Sequence, residues 1–411
     1  MRRGIPAAAV ALGLALTLTA CGGSSDDTSG GSTPGSTADG GSGDGLVVWV
    51  DETRKDAVEQ AAKAFEDEND VDVELVLKNF DDIRADFLAQ VPTGEGPDIT
   101  VGAHDWLGEL TTNGVVAPIE LGDKTAGFEE VAIQAFTQDG QVYGLPYAIE
   151  NVALIRNTAL APTAPATWDE AVAAGQAAGT KYPFLIQTTT EGDPYTYYPL
   201  QTSFGAPVFA QNADGSYTAA LAMGGAPGQA FATWLQAQGA AGVLSTDITY
   251  DIAVEAFKNG ESPFIVGGPW MLEQFADLDL AIDPVPAPGP QAAQPFVGVQ
   301  GFYVSAQSDK ALLANDFLVN YLATDEAQLA LYEAGNRPPA LKSAAEQASA
   351  DPITAGFAAV GADAVPMPSI PEMGSVWAFW GVTEANIISG QADPVAAWDK
   401  MIADIQGAIG S

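Results

Sequence analysis

The groups able to do chemistry in this chain are almost all carboxylates and indoles. Its 411 residues hold one cysteine, Cys21, and one histidine, His104, against 53 Asp and Glu and 8 Trp. A single cysteine forbids an internal disulfide. One of each also rules out Cys/His zinc sites and any triad that needs His plus a free Cys. No G-x-S-x-G, H-E-x-x-H or P-loop pattern occurs, and Gly40-Gly41-Ser42-Gly43 lies in a low-complexity stretch. Hydrogen bonding and stacking remain. A carboxylate accepts two or more hydroxyl hydrogen bonds at once, each worth about 1.5–3 kcal/mol because the acceptor is charged. Two carboxyls about 5–10 Å apart across a glycosidic bond would instead make a glycoside hydrolase. Glu150 and Asp193 are the pair such an enzyme would use.

Charge narrows the partners. Fifteen Lys and Arg against 53 acids give 15 − 53 = −38. Phosphate binding needs clustered cations, so nucleic acid is excluded as a partner. Broad adhesion to anionic lipid is excluded for the same reason. No metal or organic cofactor is indicated. At about 150 residues per domain, the length favours two domains.

The first 45 residues read as export and anchoring. Arg2 and Arg3 precede an apolar stretch from Ala7 to Ala20, short for a membrane span and well placed as a signal segment, 1–20. Leu18-Thr19-Ala20-Cys21 resembles a bacterial lipobox, with Cys21 the residue lipidated after cleavage. Residues 21–45 are nearly all Gly, Ser, Thr and Asp and read as a flexible tether.

The elements that position the acids follow. Leu46 to Val50 is a β-branched apolar run, a buried strand. Val58, Ala61, Ala62 and Phe65 repeat at i, i+3, i+4, i+7, one face of a helix that the sequence starts near Asp56. Val73 to Leu77 is a second strand, Phe80 to Val91 a second helix, and Asp98 to Val101 a third strand. That alternation predicts parallel pairing with crossover helices, an α/β fold. Asp105 lies just beyond the carboxyl end of the third strand, where such sheets bind ligands. Later strands are expected at Val152–Ile155, Phe184–Ile186, Phe264–Val266 and Val299–Val304. Helices are expected at Ala311–Leu322, Asp325–Glu333, Ala385–Ile388 and Pro394–Ile405.

Several short motifs run along this body in a fixed order. They include Thr93-Gly94-Glu95-Gly96-Pro97-Asp98, Ala103-His104-Asp105, Leu145-Pro146-Tyr147-Ala148-Ile149-Glu150 and Asp193-Pro194-Tyr195. Gly267-Gly268-Pro269-Trp270 and Met367-Pro368-Ser369-Ile370-Pro371 come later. In order and spacing, from Leu46 to the C-terminus, the chain resembles the bacterial extracellular solute-binding proteins of sugar ABC importers, and most of all the maltose/maltodextrin-binding family. The resemblance implies a two-lobed type II periplasmic-binding-protein fold. Each lobe is a mixed sheet flanked by helices, and a hinge joins them. It implies lobes of 46–149 plus 300–344 and 150–299 plus 345–411. It implies an oligosaccharide of the maltodextrin class in the cleft, a membrane permease as partner, a monomeric state, and no enzymatic activity.

The resemblance also assigns residues. Glu150 and Asp105 match acids that bind sugar hydroxyls. Asp193 and Tyr195 match an acid and an aromatic of the second lobe, with Asp standing for Glu. Trp270 and Trp377 match stacking indoles, and Trp380 lies one turn beyond Trp377, with core and platform both open. Arg54 falls where a lysine contacts sugar. Thr53 occupies the family's acid position there, so Glu52 or Asp51 would substitute; helix capping is the alternative. Three positions depart from the pattern. Gly102 stands for an aromatic, Trp106 for an arginine after the acid, and Gly381 for a late arginine. Trp106 is the residue placed to restore stacking from a shifted position. The departures leave trehalose, a cyclodextrin or another oligosaccharide open beside linear maltodextrins. Asn336 and Arg337 are placed either at the cleft or at a plain helix end before Pro338. The rivals from other classes are the hydrolase and a ligand-free surface interaction protein.

Overall fold

Local sequence sets the first half of the body directly. The computed structural model describes residues 45–410 except 213–215 and 363. The signal segment, Cys21 and all of the tether but Gly45 therefore lie outside the described residues. Strands β1 (Leu46–Val50), β2 (Val73–Leu77) and β3 (Ile99–Ala103) alternate with helices α1 (Glu52–Asn69) and α2 (Phe80–Gln90). β1 pairs in parallel with both β2 and β3, as the alternation predicts. Helix α1 begins at Glu52, earlier than the expected start near Asp56, because Asp51 caps it by accepting from the Arg54 amide at 3.1 Å. Its stripe of Ala57, Val58, Ala61, Ala62 and Phe65 faces the core.

Two long strands then hold the molecule together. β4 (Gly144–Asn151) runs into β5 (Ala153–Asn157), which pairs antiparallel with β6 (Phe264–Gly267) and β7 (Leu280–Asp283). The return strand β8 (Phe296–Ser305) is antiparallel to β3 and to β4, and parallel to the short β9 (Val365–Pro366). The expected strand at Phe184–Ile186 is reduced to a single parallel bridge, Leu185 to Ile265. Only that residue comes into register with the sheet.

Apolar residues from Leu46 to Ala148, together with Val297 to Ala340, form one core. Residues from Val152 to Phe296, joined by Met367 to Ile405, form a second. A third, smaller cluster gathers Ile155, Phe257, Ile265 and Phe357 beside it. β4 and β8 pass from the first core to the second, so their pairing is where the two halves meet. Helix α3 (Pro194–Thr202) starts at Asp193, whose carboxylate caps the Thr196 amide at 3.3 Å. Helix α4 (Asp325–Gly335) ends at Asn336, which adopts φ 55° and turns the chain back. Helix α5 (Pro352–Gly361) meets α4 through the Tyr332 and Thr354 hydroxyls, 2.7 Å apart. Helix α6 (Met373–Ile388) begins twelve residues before the expected Ala385, because Trp377 and Trp380 fall on its packed face.

The lone histidine is spent on this junction. His104 Nδ1 accepts from the Val299 amide at 3.0 Å, and Nε2 lies 2.9 Å from the Met367 carbonyl, to which it donates in the matching neutral tautomer. Burial lowers its pKa to about 4, against the raising effect of those two bonds and of Glu150. Folding therefore favours the neutral ring. Between pH 6.5 and about 4 the unfolded chain takes up a proton that the folded chain refuses, so acidification destabilises, by up to about 1.4 kcal/mol per pH unit. His104→Gln should be less stable than the wild type at pH 7, and that deficit should shrink as pH falls to 4.5. Urea unfolding at the two pH values checks this; a deficit that does not change with pH contradicts it.

Candidate functional site

The predicted acids and aromatics converge on the β4–β8 junction. Glu150, buried on β4, stands opposite Gly298 of β8. A side chain at Gly298 would meet Glu150 Cγ at 3.1 Å and the Tyr195 hydroxyl at 3.3 Å, so the glycine leaves the space in which these two approach. The Gln300 amide donates to Glu150 Oε1 at 2.9 Å, and Arg337 Nε donates to Oε2 at 2.5 Å. The Arg337 guanidinium also lies 5.9 Å from the centre of the Trp270 ring. Tyr195 is 6.3 Å from Trp270 and 6.2 Å from Phe296, ring to ring. Its buried hydroxyl has no hydrogen-bond partner. Burial raises the Tyr195 pKa well above the usual value, and the charges of Glu150, Asp105 and Asp193 add to this against Arg337. The charges of three carboxyls and one cation thus act on one phenol.

Asp105 is half-buried in the turn after β3. Burial raises its pKa to about 6, with Arg84 opposing and Glu150 and Glu109 assisting. Asp193 is raised too, by burial, although the Thr196 and Gln187 groups that bond it pull the other way. Gln187 donates to its Oδ2 at 2.5 Å.

Arg54 does not reach a ligand with free donors. It is buried, and each nitrogen is engaged: Nε with the Tyr147 hydroxyl, Nη1 with Asp51, and Nη2 with Gln300 Oε1 at 3.3 Å. Its plane sits 4.7 Å from the Phe80 ring centre. Glu52 points the other way, exposed on the first turn of α1. Asp51, offered with Glu52 as a substitute acid, is the one drawn in. Trp106 is buried against Phe80, rings 5.2 Å apart, and a Cβ at Gly102 would come within 2.7 Å of its ring. The indole therefore occupies the space above Gly102, which explains why that position carries no side chain. Trp380 is core: fully buried, with Nε1 donating to Gln201 at 3.0 Å. Trp377 is half-buried and stacks on it at 5.5 Å.

Gln300 was absent from the predicted site, and Arg337 entered it only as one of two readings. Gln300 gives no signal in an apolar strand. Arg337 was legible only as a cation beside a helix end. Among the described residues, no group of three or more His, Cys, Asp or Glu is placed to hold a metal ion, and no helix is long and apolar enough to cross a membrane. A separate groove of about 740 Å³ runs between His104, Gln138 and Asp139 on one side and Tyr217, Met367 and Ile370 on the other. It shares no residue with the acid and indole cluster.

The raised Asp105 carboxyl fixes a sign. The unfolded acid ionises near 3.8 and the folded one near 6, so this group's contribution to stability falls as pH rises across that interval and stays low above it. Asp105→Asn should therefore gain stability over the wild type from pH 4.5 to 7.5. Chemical unfolding at both pH values tests it, and a difference between the two proteins that is flat with pH would refute it.

Comparisons with known proteins give the family and the fold. The family model described as bacterial extracellular solute-binding protein matches residues 60–357. A maltodextrin-binding protein of Bacillus subtilis is 32% identical over 348 residues, which span 81% of this chain and 82% of that protein. A galactooligosaccharide-binding protein of the same organism is 28% identical over 96% of this chain and 95% of its own length. Among solved structures, the Thermus thermophilus maltotriose binding protein bound with maltotriose superposes with a TM-score of 0.80 at 33% identity, covering 89% of this chain and 100% of that one. That fold is the two-lobed type II binding-protein fold, α/β in each lobe. With residues 60–357 under the family model and a relative above 30% identity across most of its length, the chain belongs to the bacterial extracellular solute-binding proteins, which bind solutes rather than convert them.

Proposed function

We propose that this protein captures an oligosaccharide of the maltose/maltodextrin class between its lobes and delivers it to the permease of an ABC importer. The observation that carries the reading is the convergence of Asp105, Glu150 and Asp193 with Tyr195 and Trp270 at the crossing strands. Carboxylates accept sugar hydroxyls, and indole and phenol faces cover the apolar C–H surface of a pyranose. Trp377 adds a second, half-buried indole beside them.

Closure follows from where these groups sit. Asp105 belongs to the first core's turn after β3, while Asp193, Tyr195 and Trp270 belong to the second, and Glu150 lies on the strand between. A ligand touching both sides favours the state in which both are near. The division of apolar residues between the cores supports lobes of 46–149 plus 300–344 and 150–299 plus 345–411, with β8 crossing between them. A micromolar ligand corresponds to about −8 kcal/mol. A few charged hydrogen bonds and stacked rings supply that after ordering costs. The galactooligosaccharide-binding relative, matched over 95% of its length, favours a second reading in which the sugar is a different oligosaccharide. In our reading the protein is a monomer held outside the cell membrane by lipid on Cys21, at the end of the 21–45 tether.

Intrinsic Trp fluorescence of residues 46–411 should respond saturably to maltotriose in a panel with maltose, trehalose, a cyclodextrin and a galactooligosaccharide, with no hydrolysis of the bound sugar. A response confined to the galactooligosaccharide would move the ligand class. Trp270→Ala should weaken binding tenfold or more, about 1.4 kcal/mol; unchanged affinity removes Trp270 from the site. Cys21→Ser should release the full chain from the membrane fraction, and continued sedimentation with membranes would end the lipoprotein reading.

A further inference from the structure

We infer that Arg337 is the hydrogen-bond donor of the sugar site, a role that rests on the proposed function above. Apart from the Tyr195 hydroxyl and the Trp270 indole N–H, the cluster otherwise offers acceptors. Asp105, Glu150 and Asp193 accept when ionised, and Tyr195 has one hydroxyl. A sugar hydroxyl brings one proton and two lone pairs, so a site built from carboxylates alone leaves the lone pairs, two of the three, unmet.

Arg54 is not placed to supply the deficit, since it is buried and each of its nitrogens already holds Tyr147, Asp51 or Gln300. Arg337 differs. Only its Nε is engaged within the described residues, with Glu150, which leaves both terminal nitrogens available beside the Trp270 ring. Of the groups whose charges act on Tyr195, it is the sole cation. The backbone makes room for it: a Cβ at Gly335 would stand 2.9 Å from Arg337 Nη1. Asn336, in the left-handed region at φ 55°, turns the chain so that the next residue points back over the junction. The guanidinium suits this place because its planar fork fixes several donors at once and is weakly hydrated, so its transfer out of water costs less than that of an ammonium. A pyranose stacked on Trp270 would lie within reach of those donors while its other hydroxyls meet Glu150 and Asp193.

The test uses the folded chain 46–411 with maltotriose as probe. Arg337→Met should bind at least tenfold more weakly with a melting temperature close to the wild type's, and Arg337→Lys should fall between the two. In protein carrying guanidino-labelled arginine, the Arg337 resonance, assigned by its loss in Arg337→Lys, should shift on saturation while that of Arg54 stays. Affinity of Arg337→Met within twofold of the wild type, or an unshifted Arg337 resonance at saturation, overturns the inference. A wild type silent to maltotriose overturns the ligand class instead. Arg337 is then judged in the free protein by the Trp270 indole resonance. That resonance should move in Arg337→Met if the guanidinium lies over the ring, and an unmoved resonance rejects the placement.

Discussion

Burying a carboxylate costs several kcal/mol unless donors replace the water it loses, and Glu150 is buried at the point where two cores meet. Its two oxygens take a bond each, from Gln300 on β8 and from Arg337 beyond α4. Gln300 in turn accepts from Arg54, and Arg54 pairs with Asp51 at the head of α1. One continuous polar chain therefore runs from the first helix, across the crossing strands, to the segment after α4. Removing one member leaves its neighbour buried without a partner, the most expensive kind of loss. Arg54 is thus a strut: its donors hold Tyr147 and Gln300 in place, and Gln300 fixes the Glu150 carboxylate.

The second half is organised by rings rather than charges. Tyr198 stacks on Phe296 with ring centres 3.5 Å apart, and both present their edges to Trp380. Trp377 lies on Trp380, and Tyr195 lies on Phe296. The half-buried aromatics of this side thus rest on fully buried ones. A platform backed by packed rings keeps its rotamer before ligand arrives, so less conformational entropy is lost on binding.

Most of the first half was legible because its signals are local. Periodicity marked α1 and α2, β-branched runs marked β1 to β3, and their alternation fixed the parallel pairing. Glu150, Asp193, Tyr195 and Trp270 were legible as motifs; a proline or glycine beside Asp193, Tyr195 and Trp270 sets the backbone that aims each, and Glu150 closes the run Leu145-Pro146-Tyr147-Ala148-Ile149-Glu150. What failed to show was pairing at a distance. Nothing near Gln300 or Arg337 says that Glu150 lies opposite, 150 and 187 residues away in sequence. The same blindness ranked Glu52 with Asp51, because only the cap geometry shows which acid turns inward. Trp106 looked like a displaced platform, but its neighbour across the strand, Gly102, leaves a hole that the indole fills. Residues 184–186 have strand composition and lack a partner over more than one residue, a matter of sheet register that no single segment encodes.

The site is also the least comfortable part of the fold. Burial raises the pKa of Asp105 and Asp193, and raises that of Glu384, beside Asp193 on α6, well above the usual carboxylate range. The Tyr195 hydroxyl is buried without a partner. None of these arrangements stabilises the empty protein, and a core of the same shape built from apolar residues would fold more firmly. In the proposed function, all but the fully buried Glu384 would be relieved by the same kind of event. A polyhydroxylated ligand would bring donors to Asp105 and Asp193 and either a donor or an acceptor to the phenol, at the junction where closure would exclude water. The free energy withheld from folding at these groups would then be returned on binding, and only in the closed state, which would tie the strength of capture to the conformation that a permease would meet.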